Sequence, residues 1–220
     1  MNKRIVVLGD SLSMPRPGID YEDTYPYLLQ TKGYEVICRS KRGNDTNIQT
    51  LEQNILDDLI FLNPDIVVVH LGIVDCAPRL FSRKEQRVLS FLPTYLRNKI
   101  INFFSKRRFY FTKLRNLSYV SENKFTKNLN SLIDRIDNSR KQIILIKILN
   151  TTSENEKKSF GFKEKINTYN DILQKLAIEN NITIIDPNYC EDSLSEDGIH
   201  ITCEMNEYLK DKLFKAITKV

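Results

Sequence analysis

The chain has 220 residues, 41% of them hydrophobic, and a net charge of +5. This length predicts one domain over residues 1–220, and the apolar fraction excludes a disordered chain. The mild positive charge does not by itself indicate nucleic-acid binding, and no nucleic-acid recognition motif is present, so no such partner is expected. The four cysteines, Cys38, Cys76, Cys190 and Cys203, lack the spacing of a zinc site and are interpreted as reduced thiols that are buried or half-buried.

The first residues resemble a short signal peptide, because a basic segment, 1–4, precedes an apolar run, 5–8. That run is too short for a signal sequence, and Gly9-Asp10 ends it at once. No segment approaches the roughly 18 consecutive apolar residues that cross a bilayer. We therefore predict a cytoplasmic protein that is at most peripheral at the inner face of the membrane.

Short apolar runs alternate with helical patterns along the chain. The apolar runs predict strands over residues 4–8, 35–38, 65–71, 142–149 and 182–185. Spacings of three and four residues predict helices over residues 25–30, 46–61, 121–138, 163–180 and 203–218. The alternation predicts an α/β fold, a flavodoxin-like three-layer α/β/α sandwich around a five-stranded parallel sheet.

Two polar motifs at opposite ends of the chain carry the chemistry. Gly9-Asp10-Ser11-Leu12 follows the first strand, and Asp197-Gly198-Ile199-His200 precedes the last helix. A serine hydroxyl needs a base to become a nucleophile, histidine titrates near neutrality, and a carboxylate orients the imidazole. His70, the other histidine, lies within the strongest strand pattern and is interpreted as a core or sheet-edge residue.

Each motif alone also fits a simpler interpretation. Asp10 or Ser11 can cap the turn that ends the first strand, and Asp197-Gly198 can be a polar turn. The pairing of the two motifs favours the catalytic interpretation. Because the carboxyl ends of parallel strands share one edge, Ser11, Gly43, Gly72 and segment 197–200 are expected to converge there.

The chain resembles the SGNH/GDSL hydrolase family, whose motifs form four short blocks. Gly9-Asp10-Ser11-Leu12 matches the first block, Arg42-Gly43-Asn44-Asp45-Thr46 the second, and Asp197-x-x-His200 the last. The resemblance implies Ser11 as nucleophile, His200 as base and Asp197 as acid. It further implies that the backbone amides of Ser11 and Gly43 form the oxyanion hole and that no cofactor or metal is needed.

The third block departs from the family pattern, Gly-x-Asn-Asp, because Val74 stands where the family has asparagine. Losing one oxyanion donor typically lowers kcat by about 10²–10³. Three explanations for the missing donor are open. In the first, the backbone amides of Ser11 and Gly43 hold the oxyanion alone; in the second, Arg79 or Asn44 supplies the third donor. In the third, activity on simple esters is weak and the proper substrate is needed to align the reacting groups. A plain strand-to-loop exit is the simpler interpretation of residues 72–75. The candidate substrate-binding residues are Asp10, Asn44, Val74, Asp75 and Arg79.

Positive charge is concentrated in one segment of the chain, an insertion after the third strand at residues 79–118. It carries eleven basic residues and one acidic residue, so its charge is 11 − 1 = +10 and that of the remainder is 5 − 10 = −5. Large apolar residues at helical spacing accompany the charges, and Pro93 marks a first turn or a break. The insertion is interpreted as a lid or substrate-docking element for an anionic substrate, as a membrane-surface helix, or as a solvated helical insertion.

These features predict a serine esterase that removes, or transfers, a small O-acyl group on a carbohydrate or lipid-linked substrate. The alternative is a catalytically weak binding module of the same fold. Such a module would dock on an anionic membrane surface or an anionic glycan through residues 84–108. An anionic lipid surface is in either case a candidate partner of the insertion.

Overall fold

Five parallel strands form one sheet in the order β2-β1-β3-β4-β5. The computed structural model describes residues 3–137, 141–187 and 193–218. The strands are β1 (Arg4–Gly9), β2 (Glu35–Cys38), β3 (Ile66–His70), β4 (Gln142–Ile146) and β5 (Thr183–Ile185). This order and the helices on both faces of the sheet confirm the expected flavodoxin-like α/β/α fold with a basic helical insertion after β3.

The central strands are buried on both faces, which explains their unbroken apolar sequences. In β3, Ile66-Val67-Val68-Val69 is at most 2% exposed, and Ile5 to Leu8 of β1 are fully buried. Gly9 at the end of β1 pairs with His70 at the end of β3, so both strands finish at one edge of the sheet. Any groups that follow these two strands therefore start close together.

Eleven α-helical segments are formed by the described residues. They are α1 (Tyr25–Gln30), α2 (Thr46–Gln49), α3 (Glu52–Ile55), α4 (Ile73–Cys76), α5 (Arg83–Ser90), α6 (Thr94–Ser105), α7 (Arg108–Arg115), α8 (Glu122–Asp137), α9 (Ser153–Lys158), α10 (Phe162–Glu179) and α11 (Cys203–Thr218). Helices α1 and α11 pack against each other, as do α8 and α10. Predicted bounds agree closely for α1, α8, α10 and α11; residue 138 of the predicted 121–138 helix lies outside the described residues.

The single helix expected over residues 46–61 was a wrong prediction, because the segment is broken after Gln49. Leu51 adopts an extended conformation and is 57% exposed, although the periodicity placed it on the buried face. Side chains replace the missing helical bonds: the amide of Asn54 donates to the carbonyl of Ile48 at 2.6 Å. The chain then continues through α3 into a wider turn at Leu56–Ile60.

The insertion folds as three helices, α5, α6 and α7, rather than one. Pro93 immediately precedes α6, so the break interpretation is the correct one. Ser82 caps α5 and exchanges bonds with Glu85, while Asn116 ends α7 in a left-handed conformation, φ 42°. None of the described helices has both the length and the apolar character needed to cross a bilayer.

Candidate active site

Ser11 lies directly beyond β1, at the start of a single 3-10 turn, Ser11–Ser13. The preceding Asp10 caps this turn, because its Oδ1 accepts a hydrogen bond from the amide of Leu12 at 2.9 Å. The cap fixes the direction in which the chain leaves the sheet. It leaves Ser11 half-buried while Asp10 and Leu12 are buried.

The structure brings Ser11, His200 and Asp197 into one hydrogen-bonded row. Ser11 Oγ lies 3.0 Å from His200 Nε2, and His200 Nδ1 lies 2.6 Å from Asp197 Oδ2. Because a carboxylate only accepts, Nδ1 carries the proton and donates it, and the neutral ring then has Nε2 free to accept from Ser11. This is the protonation pattern that a general base needs.

A tight turn folds Asp197 back toward His200. Gly198 has φ +67°, a left-handed conformation that glycine adopts without strain. Asp197 Oδ1 accepts hydrogen bonds from the amides of Ile199 and His200 at 3.0 and 2.9 Å. Behind the turn, the amide of Asn155 donates to the carbonyl of Asp197 at 2.8 Å. The hydrogen bonds from the backbone of the turn therefore orient the carboxylate toward the imidazole.

Arg16 is a cationic partner of the Asp197 carboxylate that the sequence analysis missed. Its Nη2 donates to Asp197 Oδ2 at 2.9 Å, the same oxygen that accepts from His200. The arginine lies in the loop between Ser11 and α1, where no periodicity or motif distinguishes it from other surface cations. Its charge-assisted hydrogen bond helps to hold the carboxylate in place.

Ser11 and His200 open into a cavity of about 350 Å3. Gly43, Val74 and Arg79 line the same cavity, so four of the expected blocks meet there. Gly43 has φ +69°, and its carbonyl accepts from Arg83 Nη2 at 3.1 Å. Tyr119 and Arg83 also line the cavity and were missed, because their role depends on how the insertion folds back over the sheet edge.

Tyr119 holds two arginines of the insertion at this wall. The guanidinium carbons of Arg79 and Arg83 lie 4.2 and 4.4 Å from its ring centroid. Arg83 also binds Asp45, a 1% exposed carboxylate, at 2.5 Å, and thereby ties α5 to the loop that carries Gly43. Arg79 Nη2 donates to the carbonyl of Val74 at 3.1 Å.

Three predicted substrate-binding residues are buried and are not among the residues lining this cavity. Asn44 is 1% exposed, and its amide donates to the carbonyl of Gly9 at 3.0 Å and to Gln49 Oε1 at 2.9 Å. Both of its donor hydrogens are therefore committed. Asp75 accepts from the amide and hydroxyl of Thr46 at 3.0 and 2.6 Å. Contact of Asp10, Asn44 and Asp75 with substrate stays a prediction.

Burial shifts the titration of these carboxyl groups. Desolvation raises the pKa of Asp10 to about 7, opposed by the bond from Leu12 and reinforced by the charge of Asp75. Desolvation likewise raises the pKa of Asp75 to about 6, although the bonds from Thr46 lower it. Both carboxyls are thus easier to protonate than exposed ones.

A second serine–histidine pair lies nearby but inside the core. Ser13 Oγ is 3.4 Å from His70 Nδ1, and Tyr25 bonds both, at 2.7 and 3.2 Å. Ser13 and His70 are each 2% exposed, and burial lowers the pKa of His70 to about 4. No substrate reaches this pair without rearrangement, so His70 is a core residue, as expected.

Within residues 3–137, 141–187 and 193–218, no group of three or more His, Cys, Asp or Glu side chains is arranged to hold a metal ion. Cys38, Cys76 and Cys203 are free thiols, and Cys190 lies outside the described residues. Cys76 is buried and Cys203 half-buried, as expected, but the prediction was wrong for Cys38, which is exposed because it ends the edge strand β2.

The chain belongs to the GDSL-like lipase/acylhydrolase family, whose model matches residues 7–207. This match spans β1 to the first turn of α11 and therefore includes all four motif blocks. Membership in this family supports an esterase or acylhydrolase enzyme. A search of the curated proteins found no match.

Solved structures share the whole fold at low identity. A GDSL-like lipase from Bacteroides thetaiotaomicron is 18% identical, with a TM-score of 0.65, over 99% of this chain and 88% of that one. A lipase/acylhydrolase from Enterococcus faecalis is 17% identical, with a TM-score of 0.67, over 98% and 95%. A catalytic mutant of an acetylxylan esterase from Geobacillus stearothermophilus is 17% identical, with a TM-score of 0.65, over 97% and 93%.

Proposed function

We propose that this protein is a serine esterase that cleaves a small O-acyl group from a carbohydrate or lipid-linked alcohol. The observation that supports this most is the row Ser11, His200 and Asp197 opening into a cavity. Acetylxylan esterases among the structural neighbours favour a small acyl group on a sugar oxygen. The cytoplasm is the proposed location.

Ser11 Oγ attacks the ester carbonyl carbon while His200 Nε2 takes the hydroxyl proton. The carbonyl π electrons move onto oxygen, and the amides of Ser11 and Gly43 bind the resulting oxyanion. When the carbonyl re-forms, the alkoxide leaves and takes the proton from His200, which yields the free alcohol and an acyl-serine. Water, deprotonated by His200, then releases the acid; a sugar hydroxyl in its place would give acyl transfer.

Val74 leaves one side of the oxyanion without the usual amide donor. Because both hydrogens of the Asn44 amide are bonded elsewhere, that residue is a poor substitute. Arg79 is the better candidate for the missing oxyanion donor, because it lines the cavity and its guanidinium donates to the carbonyl of Val74. We therefore infer a lower kcat on simple esters than a complete oxyanion hole would give.

Replacing Ser11 tests the mechanism. We expect Ser11→Ala to lower kcat/KM for p-nitrophenyl acetate at least about a hundredfold, because the nucleophile is lost. A fluorophosphonate probe should label the wild type and not this variant. Ser13→Ala is the matched control, since it removes a hydroxyl two residues away that also lies near a histidine. Unlabelled wild type would favour the alternative, a binding module without turnover.

We further propose that the insertion contacts an anionic membrane surface. Nine of the fourteen exposed large apolar residues of the described chain lie in α5 to α7 or in the turn between α5 and α6. They include Phe91 at 82%, Tyr95 at 70% and Leu114 at 67% exposure. Exposed aromatic and aliphatic side chains among basic ones are typical of interfacial helices. Six of the nine lie within residues 84–108, the segment expected to carry the contact, whereas Leu114 lies beyond it.

A further inference from the structure

A second cavity, of about 460 Å3, adjoins the one that contains Ser11. It lies among α5, α6 and α7 of the insertion. The two cavities share two lining residues, Arg79 and Tyr119, which form a wall common to both. A substrate long enough to pass these two residues could therefore occupy both cavities at once.

Three arginines line the second cavity, and no acidic residue does. Arg79, Arg97 and Arg108 face it together with apolar side chains of Leu80, Phe81 and Leu89. By contrast, two other arginines of the insertion have carboxylate partners: Arg83 binds Asp45 at 2.5 Å and Arg115 binds Glu85 at 2.6 Å. The positive charge of this cavity is thus not neutralised by any carboxylate in the part of the chain that the structure describes.

The contacts of these arginines leave donors unused. Arg79 Nε is buried and makes no hydrogen bond to the described residues. Arg108 bonds two neutral oxygens, Ser159 Oγ at 2.6 Å and the carbonyl of Pro78 at 2.9 Å. The side chain of Arg97 has no hydrogen bond or ion pair within the part of the chain that the structure describes.

The charges of the cavity also disfavour each other. Burial lowers the pKa of both Arg79 and Arg108, and the charge of Arg79 lowers that of Arg108 further. Guanidinium groups stay protonated near neutrality, so the repulsion persists in the folded protein. An anion held among them would offset both the repulsion and the desolvation.

We propose that the second cavity binds an oxyanion, a phosphate or a carboxylate, carried by the alcohol portion of the ester substrate. The inference rests on the proposed esterase function, and it specifies the substrate as an anionic ester. The apolar side chains of the cavity would contact the part of the alcohol that links the ester to the anion. Arg97, whose side chain makes no hydrogen bond or ion pair to the described residues, contributes to binding and orientation rather than to the bond-breaking step.

Matched esters test this site. Phenyl acetate is neutral, 4-acetoxybenzoate adds a carboxylate, and 4-acetoxyphenyl phosphate adds a phosphate at the same ring position. We expect wild type to have a higher kcat/KM for the anionic esters than for phenyl acetate. Arg97→Gln should lower that ratio about tenfold, the size of a single charge-assisted contact of about 1.4 kcal/mol. The better of the two anionic esters identifies the oxyanion.

Arg87→Gln is the matched control. Like Arg97→Gln, it removes one positive charge from the insertion. Arg87, however, lies in α5, is exposed and does not line the cavity. It should keep the wild-type ratio for both anionic esters. An unchanged ratio in Arg97→Gln, or an equal fall in both variants, would overturn the anion site. Hydrolysis of phenyl acetate that does not depend on Ser11 would instead overturn the esterase proposal, so the two failures are distinguishable.

Discussion

Val74 is the residue at which this chain departs most from a complete oxyanion hole. It lines the cavity beside Ser11 and is 8% exposed, so a side chain of similar size there would face the reacting carbonyl. We expect Val74→Asn to raise kcat for p-nitrophenyl acetate by about tenfold or more, because one additional donor typically contributes about 10²–10³ when it is well placed. Steady-state kinetics measure this directly.

Val74→Leu separates the hydrogen bond from the shape. Leucine has nearly the outline of asparagine and no donor, so it should not raise kcat. Equal changes in the two variants would indicate that side-chain volume, not the oxyanion, limits turnover at this position.

The residues that sequence reasoning identified are those whose roles depend on local chemistry. Ser11, Asp197 and His200 stand in short motifs whose turns are encoded nearby, by Asp10 as a cap and Gly198 as a left-handed residue. Arg16 and Tyr119 are different. Their contacts join segments far apart in the chain, Arg16 with Asp197 and Tyr119 with Arg79 and Arg83, and no local pattern marks them.

At the scale of elements, strands and long helices were predictable where one periodicity extended over the whole element. The failure over residues 46–61 has a particular cause: Asn44, Gln49 and Asn54 bond to one another or to backbone carbonyls, and these bonds compete with helical ones. Strand β4 ends at Ile146 instead of residue 149, and there the amide of Ile148 bonds Asn170 Oδ1 at 2.7 Å rather than another strand.

The insertion has an exposed aromatic surface that the fold does not use. We expect the protein to sediment with liposomes that contain an anionic lipid and to release as salt rises, because each basic side chain near such a surface contributes about 1 kcal/mol. The double variant Phe91→Ser and Tyr95→Ser should reduce binding severalfold, since both rings are mostly solvent-exposed in the free protein.

A surface control distinguishes membrane contact from general stickiness. Phe61→Ser removes an aromatic side chain that is 72% exposed but lies outside the insertion, and it should leave sedimentation unchanged. Binding to neutral liposomes as strong as to anionic ones, or insensitive to salt, would contradict an electrostatic contribution. Retention on an acidic polysaccharide but not on liposomes would identify a glycan as the partner.

At the scale of the whole molecule, buried ionisable groups make stability depend on pH in opposite directions. The pKa of Asp10 is raised to about 7, so unfolding releases its proton between about pH 4 and 7, and stability falls as pH rises through this range. The pKa of His70 is lowered to about 4, so unfolding takes up a proton below about pH 6.5, and stability falls as pH drops. Opposite slopes partly cancel in the wild type.

Asp10→Asn removes the contribution of Asp10 to this pH dependence. The amide keeps an oxygen that can accept from Leu12, and it has no proton to release, so the variant should gain on the wild type as pH rises from 5 to 8. With the pKa of Asp10 raised to about 7, the gain in unfolding free energy between pH 5 and pH 8 is about 2 to 3 kcal/mol. Urea unfolding at both pH values measures it.

Because Asp75 and His70 are present in both proteins, their contributions cancel to first order in the difference. A difference that stays constant across this range would mean that Asp10 is ionised in the folded protein, and that the carboxyl beside Ser11 adds a full negative charge to the site.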